Sequence, residues 1–242
     1  MTTDLAKEAF FTLHRDLPRE GPGEAGDVVW AASFLDLPAR AQIADVACGP
    51  GADIEALLAE AEHPHVTALD LTEHFVAAAR QQWRGDDRVT VLKADMKAIS
   101  NPYDLIWCAG AVYFMGIGPA LKAWRKSLLP DGAIAFSEVC WFSDDRSPRA
   151  EGFWAQQYPN TTDEAGITAQ IKDAGYKVIG QRRLSDAAWE AYFGPLDARI
   201  AQLRDGADAA LNAVLDEAEE EAACWRAHRD EYGYLLSVVR PV

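Results

Sequence analysis

Basic residues are scarce: 23 Lys and Arg against 38 Asp and Glu give a formal net charge of −15 over 242 residues. A polyanion such as DNA, RNA or an acidic membrane would meet repulsion over much of such a surface. No cluster of Lys/Arg with interleaved aromatics offers a local basic cleft. The expected partner is therefore a small molecule, neutral or cationic, and neither nucleic acid nor membrane; formation of a homodimer stays open. Cysteine is sparse too. Cys48, Cys108, Cys140 and Cys224 include no C-x-x-C pair. Three of them lie in or at the end of apolar β-like runs, where a reduced thiol packs as a small hydrophobe. The five histidines lack the H-E-x-x-H spacing of a metal helix, so no metal is expected. Nothing approaches the roughly 18 apolar residues that cross a bilayer. Met1–Glu8 has neither the basic head nor the apolar stretch of a signal peptide. A cytoplasmic protein is the expectation.

What is present is a regular alternation. Hydrophobic residues make up 49% of the chain, enough for one domain over 1–242. Ala41–Cys48, His65–Asp70, Arg88–Leu92, Tyr103–Ala109, Ala133–Cys140, Tyr176–Arg183 and Tyr232–Val239 read as seven strands. Helical stripes separate them: Ile54, Leu57, Leu58 and Ala61; Phe75, Ala79 and Trp83, entered through Thr72 as N-cap; Ile117, Leu121, Trp124 and Leu128. That last helix stops at the turn Pro130-Asp131-Gly132. Thr161–Glu164 fits a capping box opening a helix that ends at Gly175. Repeated β-α-β units imply an α/β fold: a Rossmann-like, seven-stranded, mostly parallel sheet with helices on both faces. Ligands of such sheets lie beyond the carboxyl ends of the strands.

Two stretches exceed that plan: a helical N-terminal segment, 5–26, and an insert between the last two strands, 185–231. Within the insert Leu211, Leu215, Ala218, Ala222 and Trp225 form an apolar stripe, and Asp216, Glu217 and Glu219–Glu221 read as a solvated face. The insert begins where a parallel strand ends, so it is expected to lie over the ligand side as a lid.

Three strand ends carry chemistry. Asp45-Val46-Ala47-Cys48-Gly49-Pro50-Gly51 joins the first strand to a helix, and its glycines let backbone N–H groups approach a ligand. Asp70 ends the next strand, 19 positions beyond Gly51, where a carboxylate can accept from both hydroxyls of a ribose. Asp95-Met96 follows the third strand, pairing an acceptor for an adenine amino group with an apolar face. A G-x-G alone is equally a structural turn; the three together are more specific.

The arrangement resembles the class I S-adenosylmethionine-dependent methyltransferases from about Ile43 onward. Asp45–Gly51 matches the family's first motif, Asp70 its ribose-binding acid and Asp95-Met96 its adenine-side pair. Asp104–Ala111 matches the fourth-strand motif, Leu129–Ala133 the turn before strand five, and Tyr232–Leu236 the reversed last strand. The resemblance implies S-adenosylmethionine as cofactor, bound by Asp45, Ala47, Cys48, Gly49, Gly51, Asp70, Leu71, Asp95, Met96, Ala109 and Gly110. Leu17–Gly23 and Ser137–Phe142 further resemble a bacterial subgroup of small-molecule methyltransferases. That likeness implies an N-terminal segment folded over the cofactor, with Arg19 near the methionine carboxylate; a surface arginine in a turn is the other reading. Ala47 stands where most of the family has glycine, so the backbone there is expected to avoid positive φ. Ala109 stands where close relatives carry glutamate.

The implied activity is methyl transfer to a small-molecule acceptor. A non-catalytic, cofactor-binding regulatory protein is the alternative from another class. An NAD-dependent Rossmann oxidoreductase is the other, although its third glycine would fall on Ile54. No catalytic residue is compelled, because the reaction needs a base only for a protonated acceptor; His14, Tyr113 and Glu138 are the candidates. Trp141, Phe153, Trp154, Tyr158, Trp189 and Tyr192 join Tyr113 and Glu138 on the acceptor side. These aromatics read first as core; several lining one pocket beside Glu138 would suit a cationic amine.

Overall fold

Strands whose residues are apolar on both faces can only be satisfied between two helical layers, and the first strand meets that description: Ile43, Ala44 and Val46 are all fully buried. The computed structural model describes residues 3–242. Its strands are β1 (Gln42–Val46), β2 (His65–Asp70), β3 (Val89–Lys93), β4 (Tyr103–Cys108), β5 (Leu128–Trp141), β6 (Thr162–Asp163), β7 (Tyr176–Arg183) and β8 (Tyr232–Pro241). The helices are α1 (Thr3–Leu13), α2 (Ala25–Ala32), α3 (Ile54–Ala59), α4 (Glu73–Gln82), α5 (Ile117–Trp124), α6 (Pro148–Gln157), α7 (Glu164–Asp173), α8 (Asp186–Arg204) and α9 (Ala209–His228). The sheet runs β3-β2-β1-β4-β5-β8-β7, with β6 beside β5. Only β8 is reversed, antiparallel to β5 and to β7. Successive residues feed opposite cores: Ile43 and Leu105 on one face, Ala44 and Ile106 on the other.

The expected α/β sheet with its reversed strand is present, and three local readings change. The turn at Pro130–Gly132 lies inside β5, because Leu128 pairs with Tyr103 and Ala133 with Leu105, so the intervening residues bulge out of register. Asp163, not Thr161, caps α7, accepting from the Gly166 N–H at 2.7 Å. Thr162 and Asp163 are drawn into pairing with Cys140 and Trp141, which moves the last extended residue forward. Thr72 does occupy the N-cap of α4, yet its side chain makes no capping bond.

The insert is a helical pair, α8 and α9, locked by Trp189 stacked on Trp225 with ring centroids 5.0 Å apart. It leaves and rejoins the sheet where Arg183 faces Leu235, so both its ends stand on the rim where the parallel strands finish. The N-terminal segment is hydrogen-bonded to it: Gly23 N–H to the Ala188 carbonyl at 3.0 Å, Ser185 Oγ to Glu24 Oε1 at 2.6 Å, and Arg199 to the Thr12 carbonyl at 3.2 Å. Among the described residues no helix is long and apolar enough to cross a membrane.

The turn after β1 departs from expectation. Ala47 has φ +58°, beside Gly49 at +54° and Gly51 at +93°. The chain must reverse directly after Val46 for Cys48 N–H to reach the Leu69 carbonyl at 3.0 Å and Gly49 N–H to reach Asp70 Oδ2 at 3.0 Å. Those bonds hold a left-handed alanine that costs about 1–2 kcal/mol. Replacing Ala47 by glycine removes that strain against a backbone-entropy cost of roughly 0.5–1 kcal/mol. Ala47→Gly is expected to raise unfolding stability by up to ~1 kcal/mol in urea titrations; a loss of stability would show that the alanine methyl is needed where it stands.

Candidate functional site

The ends of β1, β2, β3 and β4 bring the motif residues to one rim. At β2, Asp70 is 9% exposed and both carboxylate oxygens are oriented by backbone. Oδ2 accepts from Gly49 N–H and Oδ1 from Thr72 N–H at 2.7 Å, and each oxygen keeps a free lone pair. The next residue, Leu71, is 65% exposed, a large apolar side chain presented to solvent directly beside the acid. At β3, the exposed Asp95 caps the short 3₁₀ turn Met96–Ala98 by accepting from Lys97 N–H at 2.8 Å, and Met96 is half-buried. At β4, Ala109 is half-buried, and Gly110 (φ +63°) donates to Ser137 Oγ at 2.8 Å. A side chain at Gly110 would stand 3.0 Å from the Tyr234 ring.

Below the β1 turn the buried polar groups are mostly acidic. Asp45 is 3% exposed and its Oδ2 has no partner. Burial pushes its carboxyl well above the usual range; nearby Asp53 and Asp70 add to this and Arg19 opposes it. Arg19 donates through Nε to the Gly21 carbonyl at 2.6 Å and through Nη2 to Asp53 Oδ1 at 3.2 Å. Trp107 Nε1 donates to Asp53 Oδ2 at 2.9 Å, fixing the carboxylate that fixes the arginine. Arg19 is therefore an interior group, and three of its five N–H donors make no hydrogen bond to the described residues. Cys48 is buried, and Gly51 closes the turn by donating to the Cys48 carbonyl at 3.0 Å. Ile54, fully buried, fills the position where a third glycine of a dinucleotide fingerprint would stand.

His14 is tied to Glu20, Nδ1 to Oε2 at 2.6 Å, with Phe10 stacked on its ring at 4.0 Å. Glu20 lies over the turn, its Cγ 3.4 Å from where a Gly49 side chain would begin, and its buried Oε1 is unpartnered. Burial raises the Glu20 carboxyl, and the His14 contact works against that rise.

The acceptor-side candidates divide into two groups. Trp141 and Trp154 pack edge-on to Tyr232 at 5.8 and 5.3 Å, Phe153 packs on Trp154 at 5.2 Å, and Trp189 stacks on Trp225. These aromatics pack against one another in or beside the core. Tyr113 and Tyr158 are a pair at 5.9 Å, and Tyr192 is 6% exposed. Glu138 is 3% exposed; one oxygen is 3.2 Å from the amide of the next residue and Oε2 has no partner. Burial lifts its carboxyl to about 8.

Glu221 corrects the sequence reading. It is not part of the solvated face but half-buried, and burial lifts its carboxyl to about 7, with nearby His14 opposing the rise. Burial raises the phenols of Tyr113, Tyr192 and Tyr234, and the Glu221 charge adds to each. The signal was available: Glu221 lies three residues after Ala218 and four before Trp225, both buried, so helical spacing puts it on the flank of the inward stripe. Glu20, Asp53, Trp107 and Tyr234 were also missed, because each acts through a contact distant in sequence.

Comparison with known proteins places this geometry. Residues 43–132 match a family model described as a methyltransferase domain. A malonyl-[acyl-carrier protein] O-methyltransferase from Enterobacter lignolyticus is 32% identical over 142 residues, covering 52% of this chain and 55% of that protein. A dTDP-4-amino-2,3,4,6-tetradeoxy-D-glucose N,N-dimethyltransferase from Saccharopolyspora spinosa is 28% identical over 143 residues, covering 57% and 55%. The match thus spans about half the length of these curated relatives. An S-adenosylmethionine-dependent methyltransferase from Geobacter sulfurreducens, solved with S-adenosyl-L-homocysteine, superimposes with a TM-score of 0.82 at 18% identity, over 97% of this chain and 98% of that one. The fold is that of the S-adenosylmethionine-dependent methyltransferases.

The raised Glu138 carboxyl has a measurable consequence. A group at about 8 when folded, against an ordinary 4.5, favours the folded state fully below pH 4.5 and loses that contribution as pH rises through 8. Glu138→Gln, which cannot ionise, is expected to lose less melting temperature than the parent between pH 5 and pH 8. Parallel declines for the two proteins would show that Glu138 ionises normally.

Proposed function

We propose that this chain is an enzyme that transfers a methyl group from S-adenosylmethionine to a small-molecule acceptor, the whole chain acting as one unit. The observation that carries the reading is Asp70, held at the β2 tip by the Gly49 and Thr72 amides with a lone pair left on each oxygen. A ribose offers two adjacent hydroxyl donors to such a carboxylate. The unpartnered buried oxygens of Asp45 and Glu20 beside the same turn suit the donors of a ligand rather than a finished core. The net charge of −15 fits a small acceptor and neither nucleic acid nor a membrane; a cytoplasmic setting agrees with the four free thiols.

Each element has a task in this reading. Asp70 receives the ribose hydroxyls, Asp95 the adenine amino group, and Leu71 and Met96 cover the adenine faces. Arg19, anchored by Asp53, turns its remaining N–H groups to the methionine carboxylate. Ala47, Cys48, Gly49 and Gly51 bring backbone to the ligand, with Ala109 and Gly110 beside the methionine portion. The bound sulfonium supplies an electrophilic methyl group, so the protein contributes alignment and exclusion of water, worth roughly 7–11 kcal/mol where orientation is good. The segments 5–26 and 185–231 form the cover. The two curated relatives carry names with different acceptors, one a malonyl group on a carrier protein and one an amino sugar, so relatedness alone leaves the acceptor class open.

Calorimetry with S-adenosylhomocysteine tests the reading directly. The parent is expected to bind it and to give no heat with NAD. Asp70→Ala removes two charge-assisted hydrogen bonds and should weaken binding by about 10- to 100-fold. A parent that binds no S-adenosylhomocysteine, or a variant that binds equally well, rejects the proposal.

A further inference from the structure

We propose that Glu20 receives the ammonium group of the cofactor's methionine portion, so that Arg19 and Glu20, consecutive in the chain, recognise both charges of one α-amino acid. The inference rests on the methyl-transfer reading above and assigns a ligand contact to a residue outside the strand-end motifs.

Position comes first. The two side chains grip opposite ends of the turn between β1 and α3. Glu20 packs on its start, with Cβ and Cγ 3.6 and 3.4 Å from the point where a Gly49 side chain would begin. Arg19 reaches its end, where Nη2 donates at 3.2 Å to Oδ1 of Asp53, the residue before α3. Gly49 is also the residue whose amide binds Asp70 at 3.0 Å. Glu20 and the carboxylate assigned to the ribose therefore meet at one residue. An α-amino acid carries its ammonium and carboxylate on a single carbon, so the groups that pair with them must be neighbours.

The state of the Glu20 carboxylate comes next. Oε2 is engaged by His14 Nδ1 at 2.6 Å, and Phe10 stacks on that imidazole at 4.0 Å. The side chain is 17% exposed, and its buried Oε1 has no partner among the described residues. A carboxylate left half-satisfied in such a place is costly unless a donor completes it.

Elimination identifies the donor. S-adenosylmethionine offers three kinds: the adenine amino group, the ribose hydroxyls and the ammonium. Asp95 and Asp70 take the first two in the reading above. The ammonium remains, and its bond to a carboxylate is charge-assisted. Burial favours the neutral form of Glu20 and His14 opposes it; an ammonium at Oε1 would act in the same sense as His14. Asp45 also has a free oxygen, but it lies beneath the turn at 3% exposure, and burial holds it toward the neutral acid.

Calorimetry on the whole chain tests this with four compounds. They are S-adenosylhomocysteine, its analogue without the ammonium, its analogue without the carboxylate, and 5′-methylthioadenosine, which lacks the amino-acid head. The parent is expected to bind S-adenosylhomocysteine about 10- to 100-fold more tightly than the deaminated analogue, the loss of one charge-assisted contact. Glu20→Gln should abolish that preference while binding 5′-methylthioadenosine within twofold of the parent, which separates loss of recognition from misfolding. Arg19→Gln should keep the preference for the ammonium and lose the one for the carboxylate. If Glu20→Gln does not fold, Glu20→Asp, which withdraws the charge by one carbon, is expected to lose most of the same preference. A parent indifferent to the ammonium, a Glu20 variant that keeps the full preference, or Asp45→Asn abolishing it in place of Glu20→Gln overturns the inference. A parent that binds none of the four compounds defeats the broader reading instead.

Discussion

One carboxylate organises the rim where the parallel strands of this sheet end. Asp70 receives the Gly49 and Thr72 amides, so it ties the bend after β1 to the start of α4 and fixes the spacing between the first two strand tips. The unfavourable backbone at Ala47 persists because this tie and the Cys48–Leu69 hydrogen bond over-determine the turn. With the turn in place, Asp45 is sealed beneath it and Glu20 lies across it. The rim is thus defined by backbone donors converging on one acid, and the strained residue is a consequence of that convergence.

A second layer of organisation joins parts of the chain that the α/β plan leaves out. Arg19 is held by Asp53, and Asp53 by Trp107 in the middle of the sheet. The guanidinium of a peripheral segment is thereby referenced to β4 through two hydrogen bonds. Glu221 is carried inward by a helix anchored on stacked indoles. Elements outside the minimal fold therefore place ionic groups at the rim, each braced by an aromatic side chain of the core.

Much of the fold was legible because its signals are local. Apolar strands, glycine bends and acids at strand ends each declare themselves within a few residues, and Asp45, Gly49, Gly51, Asp70 and Gly110 do stand at one rim. What escaped depended on competition. Asp163 displaced Thr161 as cap because two residues found a strand partner. Ala47 took a left-handed conformation because hydrogen bonds elsewhere outweighed its own preference. Glu221 was read by charge, although its helical phase assigned it inward. Glu20 and Tyr234 stood in quoted motifs, but their significance arises only where His14 and Gly110 meet them in space.

The order of strands has a consequence for how the molecule is made. β8 separates β7 from β5, so β7 has no neighbour to join until Tyr232–Pro241 has left the ribosome. α1 packs against α9, and it must likewise wait with one apolar side uncovered. During synthesis the strands β3-β2-β1-β4-β5 have one another as neighbours before β7 emerges, while β7 and the α9-facing side of α1 wait for the last part of the described chain. Docking of these late pieces is a long-range event in sequence, the kind that slows folding and leaves sticky surface open to chaperones in the interval.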